Sequence, residues 1–175
     1  VNLEKKHPDY FPLLLANAIL GGGGEARLFL NLREDKGYTY GSYSRMGNNK
    51  YTDTRFRATA SVRNAVADSS VVEILKEIDL IRTELVSAEE LSRAKAKYIG
   101  SFVRAVERPS TIAGYALDIE TEGLDKDFYT NYLSSINAVT REDIQRVAQK
   151  YFLVDQARVV VTGKATEVLE NLEKV

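Results

Sequence analysis

Four consecutive glycines, Gly21 to Gly24, constrain this chain more than any other stretch. Glycine loses more backbone freedom on folding than any other residue, so a helix that reaches Gly21 must break there. The segment Leu20 to Tyr43 then reads as a glycine-rich loop, a short amphipathic helix, a glycine stop and a tyrosine-rich strand. Glu25 to Lys36 supply the helix, with Leu28, Phe29 and Leu32 on one face. Gly37 supplies a left-handed stop, and Tyr38 to Arg45 the strand.

A glycine run first suggests phosphate, and the spacing excludes it. A Walker loop requires a lysine followed by a hydroxyl residue, and none follows Gly24; Gly163-Lys164 is followed by Ala165. A dinucleotide fingerprint needs a preceding strand and a glycine where Ala26 stands, and the preceding segment, residues 7–20, reads as helix. What remains is a flexible connection between helices or a loop that meets a substrate.

The rest of the chain is mostly helical. Asp9 is placed to cap the helix over 7–20, and Pro12 falls in its first turn. Gly47, Asn48 and Asn49 signal a turn. The strand Thr54 to Val62 alternates, with Phe56, Ala58, Ala60 and Val62 on one side and Arg55, Arg57, Thr59 and Ser61 on the other. The two strands are expected to form an antiparallel hairpin. Val71, Ile74, Leu75, Ile78, Ile81 and Leu85 mark a long amphipathic helix. Ser87 with Glu90 forms a capping box for a helix to about Val106, which Arg108-Pro109 ends. Further helices are expected over Ser110 to Glu120, Lys126 to Ile136, and from Thr140 (capped with Asp143) through Tyr151. Arg158 to Thr162 reads as a short apolar strand, and the last residues as a short helix. No repeat or interdomain linker interrupts 1–175, a single domain.

The 175 residues, 44% hydrophobic and 28% charged, suit a soluble globular domain. A formal charge of −1 gives no general basic field for nucleic acid or a membrane, and no apolar run approaches a membrane span of about 18 residues. The chain opens on Val1 and its only methionine is Met46. It is therefore expected to be a piece of a longer protein. Three strands are few for so many amphipathic faces, so further strands are either concealed here or precede Val1 in that protein.

There is no cysteine and one histidine, His7. Zinc takes three or four protein ligands, so a catalytic zinc held by this chain alone is not expected, and triad chemistry lacks its parts. His7 beside Pro8 reads as structural; Glu89-Glu90 and the carboxylates from Asp118 to Glu122 read as solvated helix faces and a cap. Arg45, Arg55, Arg57 and Arg63, with Lys50 and against Asp53 alone, cluster around the hairpin: either an ordinary solvated face or a wall attracting acidic peptide segments. The sharper pair is Arg33, at a helix end, and Tyr40, on the following strand. A guanidinium and a phenol there could both donate to a peptide carbonyl or to the oxyanion that forms on it. The alternative is a surface ion pair between Arg33 and a nearby glutamate, with Tyr40 half-buried on the sheet.

Together the segment Leu32 to Tyr40 (L-R-E-D-K-G-Y-T-Y), S-A-E-E-L-x-R-A-K from Ser87, A-V-T-x-E-D-I-x-x-V-A-x-K-Y-F from Ala138, and V-V-V-T-G from Val159 resemble, in order, one half of the inverzincin metallopeptidases. These are pitrilysin, insulin-degrading enzyme and the mitochondrial processing peptidase. The resemblance implies an α+β domain with helices packed on a largely antiparallel sheet, and the noncatalytic, C-terminal-type half-domain, lacking its first strand here. It implies substrate-binding roles for Arg33 and Tyr40, which in that family come from the half without zinc. No catalytic residue, metal or cofactor is assigned to this chain. Zinc is expected in a partner half bearing H-x-x-E-H, in the same polypeptide or a separate subunit. The implied function is to close the chamber and orient an unfolded peptide for proteolysis, with self-association of the isolated chain possible. The runner-up is a peptidase-inactive superfamily member like the core subunits of a respiratory complex; a third reading is an unrelated peptide-binding or assembly module. The compartment stays open between a bacterial cytoplasm and periplasm.

Overall fold

A computed structural model describes residues 3–47 and 55–174. Its central element is α1 (Tyr10–Gly21), apolar on all sides and therefore buried on all sides. Leu13, Leu15, Ala16 and Leu20 have no exposed surface. Around α1 lie a two-stranded sheet and three helices: α3 (Ala67–Thr83), α4 (Ala88–Val106) and α7 (Arg141–Tyr151). Their apolar stripes close one core through Ile81, Leu91, Ile144 and Val147. The architecture is α+β, with helices on an antiparallel hairpin.

The two capping boxes form as the sequence requires: Ser87 with Glu90 opens α4, and Thr140 with Asp143 opens α7. Pro109 takes the first turn of α5 (Pro109–Glu122), where its missing N–H costs nothing. Two helix readings change. Asp9 occupies the cap position of α1 but makes no cap hydrogen bond. Its carboxylate is taken by Arg146 at 2.6 Å, Lys150 at 2.8 Å and the Tyr151 hydroxyl at 2.8 Å, pinning α1 to α7. The helix expected over Lys126 to Ile136 begins only at Tyr132, as α6 (Tyr132–Ala138). Turns replace its first part because Phe128 stacks on Phe11 at 5.6 Å and Tyr129 on Tyr115 at 3.8 Å, while the Tyr129 hydroxyl donates to Asp118 at 2.6 Å. Those tertiary contacts outweigh local propensity. The closing helix is α8 (Ala165–Leu172).

The hairpin pairs β1 (Thr39–Met46) with β2 (Phe56–Val62) antiparallel. Asn48, Asn49, Lys50, Asp53 and Thr54 lie outside the described residues. Ser44 donates to Asn17 Oδ1 at 2.8 Å, and Phe56 packs on Phe152 with ring centroids 4.4 Å apart, so one sheet face is fixed to α1 and α7. Gly21 is required by this contact: a Cβ there would fall 2.2 Å from the Ser44 backbone nitrogen. At least one of the four glycines is thus demanded by packing.

Arg158 to Thr162 does not form the expected strand; no regular structure covers it, although Val160 is 84% exposed. A strand exists only through a neighbour's hydrogen bonds, and among the described residues none is in place. Between this segment and β2 runs a groove of about 1070 Å³, floored by α3 through Val71, Ile74 and Ile78. The chain's surface of 10505 Å² exceeds the roughly 8600 Å² typical of a folded monomer of this mass.

Candidate functional site: the exposed face of the hairpin

The helix that follows the glycines starts as α2 (Arg27–Phe29) and widens into a π-helical turn over Leu30–Asp35. Lys36 N–H donates to Asn31 O at 3.0 Å, the five-residue reach of a π turn. Leu32 holds the turn to the core, and the Asn31 amide donates to Glu73 at 3.0 Å and Glu77 at 2.7 Å on α3. The Asn31 hydrogen bond also holds the Glu73 carboxyl below its ordinary value. Gly37 then turns the chain at φ 62 into β1.

This frame leaves Arg33 outside. Its guanidinium lies over the Phe29 ring, 4.8 Å from the centroid, with Nε 3.4 Å from the exposed Glu34 carboxylate. The glutamate partner of the plainer reading therefore exists. The half-buried Tyr40 of that reading does not: Tyr40 is 94% exposed. The cause is a β-bulge. Thr39 pairs Val62 and Ser42 pairs Ala60, so Tyr40 and Gly41 together oppose Ser61. Simple alternation would set Tyr40 with the buried Ser42 and Ser44; the extra residue turns it to solvent, as bulges re-aim side chains. The Tyr43 ring lies over Gly41: a Cβ there would meet that ring at 2.7 Å. Tyr43 in turn contacts Phe29 at 5.8 Å. Phe29 thereby links Arg33 to the tyrosine-bearing strand. Tyr43 was not singled out from sequence, and Phe29 only as part of the apolar face of its helix; the Tyr38, Tyr40, Tyr43 spacing was the available signal, but only the bulge sorts those rings.

The other carboxylates are structural. Glu90 takes a two-pronged grip from Arg27, at 2.6 and 3.1 Å, in addition to its cap. Burial pushes its carboxyl up, but Arg27 and the Ser87 N–H outweigh this and hold it at about 2. Asp118 binds Lys5 at 2.6 Å and Tyr129. Glu90 was expected as a cap, which it is, and it also joins α4 to Arg27; Asp118 was expected on a solvated face and instead joins distant segments. His7 Nδ1 accepts the Asp9 N–H at 3.0 Å. Among the described residues no group of three or more His, Cys, Asp or Glu could hold a metal, so these residues do not fit a zinc site. Also among them, no helix is long and apolar enough to cross a membrane. Beside the glycine loop is a pocket of about 250 Å³, where Lys97 donates to Gly22 O at 2.6 Å.

The class so defined is a helix-covered α+β domain with an exposed aromatic and cationic sheet face and no metal-ligand group among its described residues. Residues 2–98, more than half of the chain, match the family of peptidase M16 inactive domains, and the chain belongs to that family. The resemblance to a noncatalytic half-domain is thus confirmed. A Bacillus subtilis (strain 168) protein described as the uncharacterized zinc protease YmxG is 26% identical over 163 residues, covering 91% of this chain and 39% of that protein. Among solved structures, a peptidase M16 inactive domain from Pseudomonas fluorescens superposes with a TM-score of 0.81 at 23% identity, covering 89% of this chain and 37% of that one. A putative zinc protease from Bordetella pertussis Tohama I gives 0.75 at 19%, covering 92% and 89%. The chain thus spans well under half of the first two relatives.

Proposed function

We propose that this domain is the noncatalytic half of a zinc-dependent peptidase. It closes a chamber opposite a half bearing H-x-x-E-H, and its exposed sheet face orients an unfolded peptide. Arg33 and Tyr40 are the groups that donate to the peptide carbonyl there; water activation belongs to the zinc-bearing half. One observation carries the reading: in a family of inactive peptidase domains, a bulge and a π turn combine to hold an arginine and a 94%-exposed tyrosine out of the core. A peptide lying on this face would cover the Tyr40 ring and gain the burial that the free domain leaves unused.

The test begins with the chain alone. Dialysed against buffer, it is expected to retain no stoichiometric zinc and to cleave no quenched fluorescent peptide; addition of the H-x-x-E-H half restores chelator-sensitive cleavage. One tightly held zinc per chain, with cleavage by the chain alone, would overturn the assignment. Cleavage by the other half at the same rate without this chain would favour a purely structural superfamily member.

The groove beside β2 supports a second part of the proposal. Its lining, an unpaired strand edge on one side and exposed valines on the other, suits an added strand supplied from outside residues 1–175. The isolated chain is accordingly expected to bind a hydrophobic dye and to self-associate as concentration rises. A strictly monomeric profile at high concentration, without dye binding, counts against this.

A further inference from the structure

The bulged hairpin carries a second feature on the face that bears Tyr40 and Tyr43. Arg45 and Arg57 are directly opposed across the strands. Both are exposed, and Arg55 stands at the start of β2. Like charges directly opposed in a hairpin are destabilising. Neither strand contains an aspartate or glutamate that could offset them. Among the described residues, Arg45, Arg55 and Arg57 have no ion-pair partner, as is true of Arg104, Arg108 and Arg158 elsewhere on the surface; what distinguishes the hairpin pair is that two such charges stand directly opposite each other. Arg63 reaches back to the Gly37 carbonyl at 3.4 Å and adds its charge at the far end of the same strand pair. The local field is therefore positive in a chain whose formal charge is −1. A directed cluster of this kind acts on ligands within about a Debye length, roughly 8–10 Å.

We propose that the Arg45–Arg57 pair is an anion subsite that selects an acidic side chain in an extended peptide lying across the hairpin face. This rests on the reading of that face as the peptide-binding surface. A carboxylate between two guanidiniums accepts hydrogen bonds from both and removes the repulsion between them, so the ligand supplies the missing countercharge. The aromatic rings of Tyr40 and Tyr43 flank the subsite on β1 and offer apolar faces to neighbouring peptide residues. Selection for acidic peptide follows from charge complementarity; the sheet's buried face, fixed to α1 and α7, takes no part.

The test measures binding of fluorescent peptides of equal length, one acidic, one with the matching amides and one basic, to the intact protein in chelator, which stops cleavage. The wild-type protein is expected to bind the acidic peptide about tenfold more tightly than its amide counterpart, the sum of two exposed charge pairs at several-fold each. That preference should shrink as salt rises. The double variant Arg45→Gln/Arg57→Gln loses the preference while keeping its affinity for the amide peptide; Lys126→Gln, away from the hairpin, behaves as wild type. The double variant also melts no lower than wild type, because a like-charge pair has been removed; a merely structural arginine pair would lower the melting temperature. Equal binding of acidic and amide peptides by the wild type overturns the subsite and leaves the peptide surface standing. No binding of any peptide overturns both. Tighter binding of a single-stranded oligonucleotide than of the acidic peptide reassigns the face to nucleic acid and overturns the proposal.

Discussion

In the assembled peptidase, Arg33→Ala and Tyr40→Phe are each expected to lower turnover by on the order of 10²–10³, the usual loss when one donor to a developing oxyanion is removed. Zinc content and fold should not change, because neither side chain is buried and neither carries a contact that the core needs. Tyr40→Phe is the cleaner variant: it deletes one hydroxyl on a 94%-exposed ring. Arg33→Ala also removes the guanidinium from above Phe29, so its effect includes some loosening of the link to Tyr43. Steady-state kinetics separate the possibilities. A fall in kcat with KM unchanged assigns the pair to the transition state; a rise in KM alone assigns it to ground-state grip. If both variants match Lys126→Ala, an exposed control, Arg33 and Tyr40 are ordinary surface residues.

The second large effect concerns stability. Asp9→Asn is expected to lower unfolding free energy by about 2–3 kcal/mol, somewhat less than breaking a fully buried ion pair because Arg146 and Lys150 stay half-exposed. For a domain of this length that is about 6–9 °C in Tm. The acid limb should change as well. Burial pushes the Asp9 carboxyl up, but hydrogen bonds from Lys150, Arg146 and Tyr151 prevail and hold it well below its ordinary 3.8. A carboxyl depressed in the folded state contributes stability that is fully present above its unfolded value and is lost as pH falls through the folded value. Wild type should therefore lose stability more steeply than Asp9→Asn below about pH 4, and the two Tm curves should converge in acid. A constant difference down to the lowest accessible pH would show that Asp9 acts through packing and not through its charge.

Much of this fold was legible because its signals are local. Capping at Ser87 and Thr140 needs only residues three apart, and both boxes are present as expected. The Gly37 stop and the alternation of β2 are of the same kind. The misreadings share a cause. Lys126 to Asn131 has helical spacing, yet Phe128 gains more from Phe11, far away in the chain, and Tyr129 from Tyr115 on the preceding helix. Arg158 to Thr162 has a strand's composition, but hydrogen bonding across a sheet is a property of two segments. At the candidate site, the sequence singled out Arg33 and Tyr40, while the exposure of Tyr40 depended on a one-residue bulge; Gly41 within the strand was its local signal, but which side chain it re-aims is settled by the pairing with β2.

The amino-acid sequence by itself determined the hairpin, most of the helices, the α+β class, the lack of a histidine set for zinc and the concentration of arginines around the hairpin. Each of these depends on residue type and short-range periodicity. Only the tertiary structure decided that Asp9 binds α7 instead of capping α1, that Gly21 exists to admit Ser44, and that Arg45 stands opposite Arg57. Those outcomes depend on which surfaces meet. Register, close approach and burial arise between segments distant in sequence, where a change of one residue reverses which face a side chain occupies.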